Sequence, residues 1–100
     1  MTESTQKIID TINAIPKGKV SCYRDIAARA GMPNGARQVA RILHSMSRKY
    51  NLLWYRILKA DGSIALEKGA GAELQAELLR KEGVKISEEG CVDFEKYLWR

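Results

Sequence analysis

Apolar residues near the start of the chain recur at helical spacing: Ile8, Ile9, Ile12 and Ile15. Thr2 or Ser4 can cap this first helix, and Pro16 and Gly18 stop it. Val20 opens the next segment, and Ser21 is placed to cap a second helix over residues 22–30. Asp25 falls in its first turn, where the helix dipole favours a carboxylate. Ile26, Ala27 and Ala30 make a small apolar face, and Gly31 ends it. Met32, Pro33, Asn34 and Gly35 form a turn, with Asn34 or Gly35 as the next cap. In the third helix Val39, Ile42, Leu43 and Met46 share one side. Arg37, Arg41, His44 and Arg48 share the other, within about 60° of one another at 100° per residue. Helix, glycine-containing turn and basic amphipathic helix have the shape of a helix-turn-helix, although a solvated basic surface helix shows the same pattern.

The next run, NLLWYRIL, is the most apolar in the chain and reads as a strand. On a strand Trp54 and Arg56 share one face and Tyr55 takes the other. Asp61-Gly62 then separates it from SIAL, the signal of a hairpin or wing. A last clear helix is expected over residues 72–82, with Leu74, Leu78 and Leu79 buried and Gly83 as its stop. Glu82 breaks a local rule, because the dipole disfavours a carboxylate at a helix C-terminus. Phe94, Tyr97, Leu98 and Trp99 imply that the tail docks on the body. The expected fold is mainly α with a short β-hairpin, a winged helix-turn-helix in a single domain over residues 1–100.

Charge sharpens this picture. Residues 1–60 hold 11 Lys/Arg against 3 Asp/Glu, and residues 61–100 hold 6 against 9, giving +8 and −3 and a net charge of +5. One basic face suited to a polyanion is implied, and a solvated basic surface remains the alternative. No apolar run approaches the length of a membrane span. The N-terminal MTESTQKIID lacks the pattern of a signal peptide, so a cytoplasmic protein is expected. Cys22, Cys91 and the single His44 make no metal-ligand pattern, and no cofactor is expected.

Three motifs, VSCYRDIAARAG, NGARQVARIL and LLWYRI, in this order and spacing, resemble the DNA-binding domain of the O6-alkylguanine-DNA alkyltransferases. The resemblance runs from the first helix to about Gly83. That family accepts an alkyl group on the cysteine of a Pro-Cys-His-Arg motif. Here Leu53, Trp54, Tyr55 and Arg56 stand at those positions. Tryptophan in place of the nucleophile resembles the alkyltransferase-like proteins, which bind alkylated DNA without repairing it, and the tail VDFEKYLW is similar to theirs. Indole nitrogen only donates a hydrogen bond, so no methyl transfer and no enzyme activity are expected.

The resemblance implies roles residue by residue. Arg37 matches an arginine finger that enters the duplex from the minor groove and fills the gap left by an extruded base. Tyr23 matches a tyrosine that rotates the phosphate of the flipped nucleotide. Gly35, Ala36, Gln38 and Ala40 match small residues that let the third helix approach the groove, with Gln38 and Arg41 larger than usual there. Tyr23, Leu53, Trp54, Tyr55, Arg56 and Glu82 surround the implied lesion pocket, and the hairpin at residues 61–68, Ser63 included, supplies a remaining wall. Glu82 matches a buried glutamate within reach of the Tyr55 hydroxyl, and Met46 replaces a propping asparagine. The implied partners are double-stranded DNA containing O6-alkylguanine and nucleotide excision repair proteins, with the chain acting as a monomer. Two other readings stay open. One is a winged-helix transcription regulator reading DNA sequence in the major groove. The other is a residual alkyltransferase using Cys22.

Overall fold

Thr2 caps the first helix, α1 (Glu3–Asn13), by accepting a hydrogen bond from the Thr5 N–H at 3.1 Å. The computed structural model describes residues 2–64 and 71–100. Ile8, Ile9 and Ile12 bury one face of α1, and Ile15 follows them into the core from beyond its end.

Ser21 does not cap a helix. It pairs, with Cys22, in a short strand β1 (Ser21–Cys22), and α2 (Tyr23–Arg29) starts after it with Cys22 in the cap position. The reason is burial: Val20, Ser21 and Cys22 all lie inside, so the backbone groups here are satisfied by strand pairing. Gly35 rather than Asn34 precedes α3 (Ala36–Met46), which packs Val39 and Ile42 against α2. Arg48 lies beyond the end of α3, so the helical stripe comprises Arg37, Arg41 and His44.

NLLWYRIL is not one strand. Trp54–Arg56 forms a 3-10 turn, and only β2 (Ile57–Leu58) is extended. The expected alternation of faces therefore fails, and Arg56 is buried together with Ile57 and Leu58. β2 pairs with β1 in parallel, Ser21 beside Ile57 and Cys22 beside Leu58. The two-stranded sheet is thus formed by segments far apart in sequence, not by a hairpin. The Asp61-Gly62 turn is present, closed by Lys59 N–H to Ser63 O at 3.0 Å and Gly62 N–H to Lys59 O at 2.9 Å. Its return arm leaves toward the C-terminal segment: Ser63 bridges Cys91, and Ile64 N–H donates to Gly90 O at 2.9 Å. The rest of the expected hairpin, residues 65–68, lies outside the described residues.

β2 joins two apolar clusters, because successive strand residues point oppositely. Ile57 enters a cluster built by α1, α2, α3 and Leu52. Leu58 enters a second one with Val20, Leu79, Val84 and Val92. In α4 (Ala72–Lys81) the buried pair is Gln75 and Leu79, at i and i+4, while Leu74 is 50% exposed and Leu78 half-buried. The expectation of a buried Leu74 is corrected: the helix turns Gln75, not Leu74, toward the core. The tail folds back through α5 (Phe94–Tyr97) and brackets Val20, which donates to Tyr97 O and accepts from Trp99 N–H, both at 2.8 Å. Trp99 then lies under the Arg29 guanidinium, 3.7 Å from the ring centroid. The structure agrees with a mainly helical chain with a docked tail.

Gly62 shows how closely the C-terminal segment approaches. Its φ is +86°, and a Cβ there would meet Val92 O at 2.6 Å. Gly90 has a similar φ of +82° with nothing within 4 Å of a Cβ. Gly90→Ala is expected to destabilise by about 1 kcal/mol from backbone strain alone. Gly62→Ala should cost about 2–4 kcal/mol, because strain and overlap add. Urea unfolding of the two variants beside wild type measures the difference.

Candidate nucleic-acid interface

The amphipathic pattern of α3 determines what it shows to solvent. With Val39 and Ile42 inside, Arg37, Arg41 and His44 are exposed on the other side. Gly35 and Ala36 are half-buried and Ala40 exposed, so the surface beside these cations is low. Gln38 is half-buried. Among the described residues the ion pairs are Lys7–Glu3, Arg56–Glu82 and Lys81–Glu77, and none of them engages Arg37 or Arg41. Both guanidinium groups are therefore available to a polyanion.

A cavity of about 390 Å³ opens beside this face. Tyr23 at the start of α2 and Trp54 in the 3-10 turn supply aromatic walls. Ala40, Leu43, His44 and Ser47 come from α3 and its end, with Ile57 and Gln75 completing the described lining. Its volume suits a small flat ligand, and apolar walls with few polar groups are typical of binding sites. Another cavity of about 340 Å³ lies between α4 and residues 86–90, but its described lining holds no aromatic residue and it is not beside α3.

Leu53, Tyr55, Arg56, Ser63 and Glu82, also singled out from the sequence, are not among the described lining residues of this cavity. Leu53 packs into the helical cluster, and its N–H donates to Asn13 Oδ1 at 3.3 Å. Ser63 is taken up by its own turn, donating to Asp61 from its hydroxyl at 2.6 Å and its N–H at 3.0 Å. Tyr55, Arg56 and Glu82 form a network behind the Trp54 turn. Tyr55 meets Trp54 edge-on, with ring centroids 6.0 Å apart. Leu43, Ser47, Ile57 and Gln75 were missed as lining residues. His44 shares the exposed side of α3 with Arg37 and Arg41, and that is the signal the sequence offers for it. Gln75 offered none, because a glutamine at a buried helical position leaves no periodic trace.

The network centres on Glu82, the C-cap of α4. Its carboxylate accepts from Gly18 N–H at 3.1 Å, Tyr55 Oη at 2.9 Å and Arg56 Nε at 3.0 Å. Arg56 Nη2 closes a second bond to it, and Nη1 donates to Ile15 O at 2.7 Å. Both charged side chains are 9% exposed. Burial pushes the Glu82 carboxyl up, but the bonds from Arg56, Gly18 and Tyr55 outweigh it and hold the group below its ordinary value. Burial lowers Arg56, and Glu82 more than reverses that. Burial, with donation to Glu82, raises the Tyr55 phenol. Tyr55 is therefore a neutral donor and Glu82 an anion. The Cys22 thiol is 2% exposed, and burial pushes it up as well, away from the thiolate that nucleophilic chemistry needs.

The sequence matches the family described as 6-O-methylguanine DNA methyltransferase, DNA binding domain, over residues 3–84. It is 38% identical over 100 residues to the DNA base-flipping protein of Vibrio parahaemolyticus, covering 100% of this chain and 99% of that protein. It is 32% identical over 105 residues to Alkyltransferase-like protein 1 of Schizosaccharomyces pombe, covering 100% of this chain and 97% of that one. The fold superimposes with a TM-score of 0.89 on the crystal structure of S. pombe Atl1 in complex with damaged DNA containing O6-carboxymethylguanine, at 33% identity over 100% of this chain and 97% of that chain.

Glu82→Gln leaves the Arg56 charge buried without its counter-ion and should destabilise by about 3 kcal/mol at neutral pH. The Glu82 carboxyl titrates lower in the folded than in the unfolded chain, so its contribution is complete above the unfolded value. That contribution is lost as pH falls through the folded value, and the gap between wild type and variant should close in acid. Tyr55→Phe removes one bond to the carboxylate and should cost about 1–2 kcal/mol. Chemical unfolding at a series of pH values checks both.

Proposed function

The chain is an alkyltransferase-like member of the family of 6-O-methylguanine DNA methyltransferase DNA-binding domains, and on that premise we propose that it recognises O6-alkylguanine in duplex DNA without removing the alkyl group. The observation that carries this reading is Trp54, an aromatic wall of a cavity beside a basic helix, at the position where the alkyltransferases carry their nucleophile. In this reading α3 lies along the minor groove. Gly35, Ala36 and Ala40 permit close approach, the larger Gln38 lies beside them on the same helix, and Arg41 holds phosphate. Arg37 enters the stack and fills the gap left by the extruded base. Tyr23 guides the nucleotide outward and forms part of the cavity that receives it.

Energetics favour a damaged base. Flipping costs a few kcal/mol, less when pairing is already poor. Stacking on an aromatic returns about 1–3 kcal/mol per base, which Trp54 and Tyr23 can supply. The alkyl group gains apolar contact with Leu43 and Ile57. Tyr55, Arg56 and Glu82 support the turn from behind, and Leu53 anchors it from the α1 side. With no activated nucleophile on the described walls, the complex persists and is handed, as a monomer bound to one lesion, to nucleotide excision repair.

The test compares two duplexes that differ only by O6-methyl on one guanine, at fixed salt because phosphate contacts make affinity salt-dependent. Tight binding to the methylated duplex with the methyl group still on the DNA is expected. Trp54→Ala should weaken lesion binding by about 5- to 150-fold, and Arg37→Ala should also reduce it. Equal affinity for the two duplexes overturns the reading in favour of a general or sequence-specific DNA binder. A methyl-sized mass increase on the protein overturns it in favour of a transferase.

A further inference from the structure

Gln75 belongs to α4, is 2% exposed, and reaches the cavity wall beside Ile57. Its carboxamide nitrogen donates to two backbone carbonyls, Tyr55 O at 3.1 Å and Ile57 O at 3.0 Å. Two acceptors facing one end of the amide identify that end as nitrogen, since an oxygen there would face two oxygens. Both carbonyls belong to the exit of the 3-10 turn that carries Trp54. The Ile57 N–H in turn donates to Trp54 O, so any shift of Ile57 is transmitted to the Trp54 backbone.

The other end of the amide is left over. Gln75 Oε1 is buried and has no hydrogen-bond partner among the described residues. A buried acceptor without a partner is unfavourable, and an apolar residue would avoid it. The side chain is therefore held in place by what its two donors do. The remaining anchors of the turn grip different atoms: Asn13 takes the Leu53 N–H, and Glu82 takes the Tyr55 and Arg56 side chains. Among the described residues Gln75 alone donates a side-chain hydrogen bond to the carbonyls of Tyr55 and Ile57.

We propose that Gln75 is a positioning residue for Trp54, a clamp from α4 that fixes the exit of the 3-10 turn and with it the orientation of the indole in the cavity. The inference rests on the reading of Trp54 as the wall that receives a flipped base. Its requirement is for donors, not for bulk or for the amide oxygen.

Three variants of the full chain separate these possibilities. Gln75→Leu removes donors and acceptor, Gln75→Glu keeps oxygen but replaces the donors, and Gln75→Lys keeps donors and drops the oxygen. Each is measured for affinity to the O6-methylguanine duplex, affinity to the matched plain duplex, thermal midpoint, and fluorescence anisotropy of Trp54 in a Trp99→Phe background. Gln75→Leu and Gln75→Glu are expected to lose lesion preference by about five- to tenfold, with plain-duplex affinity maintained and Trp54 anisotropy lowered. Gln75→Lys is expected to rescue both readouts. Should Gln75→Leu fail to fold, the contrast between Lys and Glu decides. Unchanged preference and anisotropy in Gln75→Glu overturns the clamp, as does parallel loss of both affinities, which marks a merely structural residue. Absence of lesion preference in wild type overturns the base-recognition reading instead, and Trp54 anisotropy still reports on the clamp.

Discussion

A buried ion pair holds this small chain in register. Arg56 and Glu82 meet with little exposure, and between them they reach Ile15, Gly18 and Tyr55. Three segments are joined at one point: the loop after α1, the 3-10 turn and the end of α4. Taking two charges out of water is expensive, and such a pair is weak evidence for net stability by itself. Here its donors and acceptors are nearly all matched, which is the condition under which a buried pair becomes tolerable. Removing either partner would strand the other. The gain is a fixed geometry for residues 54–56, which carry no strand long enough to hold them.

That geometry divides the labour between the two halves of the site. Cations on α3 face outward without acidic partners among the described residues, where a polyanion can reach them. Arg56, next in sequence to the lining residue Ile57, is turned inward and paired with Glu82. The cavity therefore keeps apolar and aromatic walls while the approach to it stays positive. Electrostatic attraction acts over roughly a Debye length and brings in any duplex. In the proposed reading, discrimination is left to shape and stacking within the cavity, where charge would favour every phosphate alike.

What could be read from the sequence followed the length of its elements. α1 and α3 each run for 11 residues, long enough for their apolar faces to repeat. β1 and β2 have 2 residues each, too few for any period, and their pairing is parallel between segments more than thirty residues apart. The run NLLWYRIL resembled a strand because both a strand and a buried turn are apolar. An arginine is out of place on a core strand, and Arg56 is buried here because it is paired. Glu82 likewise broke the dipole rule and proved to be its partner. Leu74 and Gln75 were reversed for a different reason: the polar member is buried because two carbonyls need its donors, a tertiary demand that no local pattern records.

The same network bears on proton movement beside Trp54. Proton transfer needs a group whose ordinary value lies near neutrality or is brought there. Tyr55 occupies the position between Trp54 and Glu82, and burial together with its bond to Glu82 pushes its phenol further from neutrality. Glu82 is held in the opposite direction, committed as an anion to Arg56, Gly18 and Tyr55. Neither can take a proton from a nucleophile at position 54 and pass it on. Tyr55 and Glu82 thus form a fixed support behind the 3-10 turn. Their hydrogen bonds brace the turn that carries Trp54, a wall of the cavity.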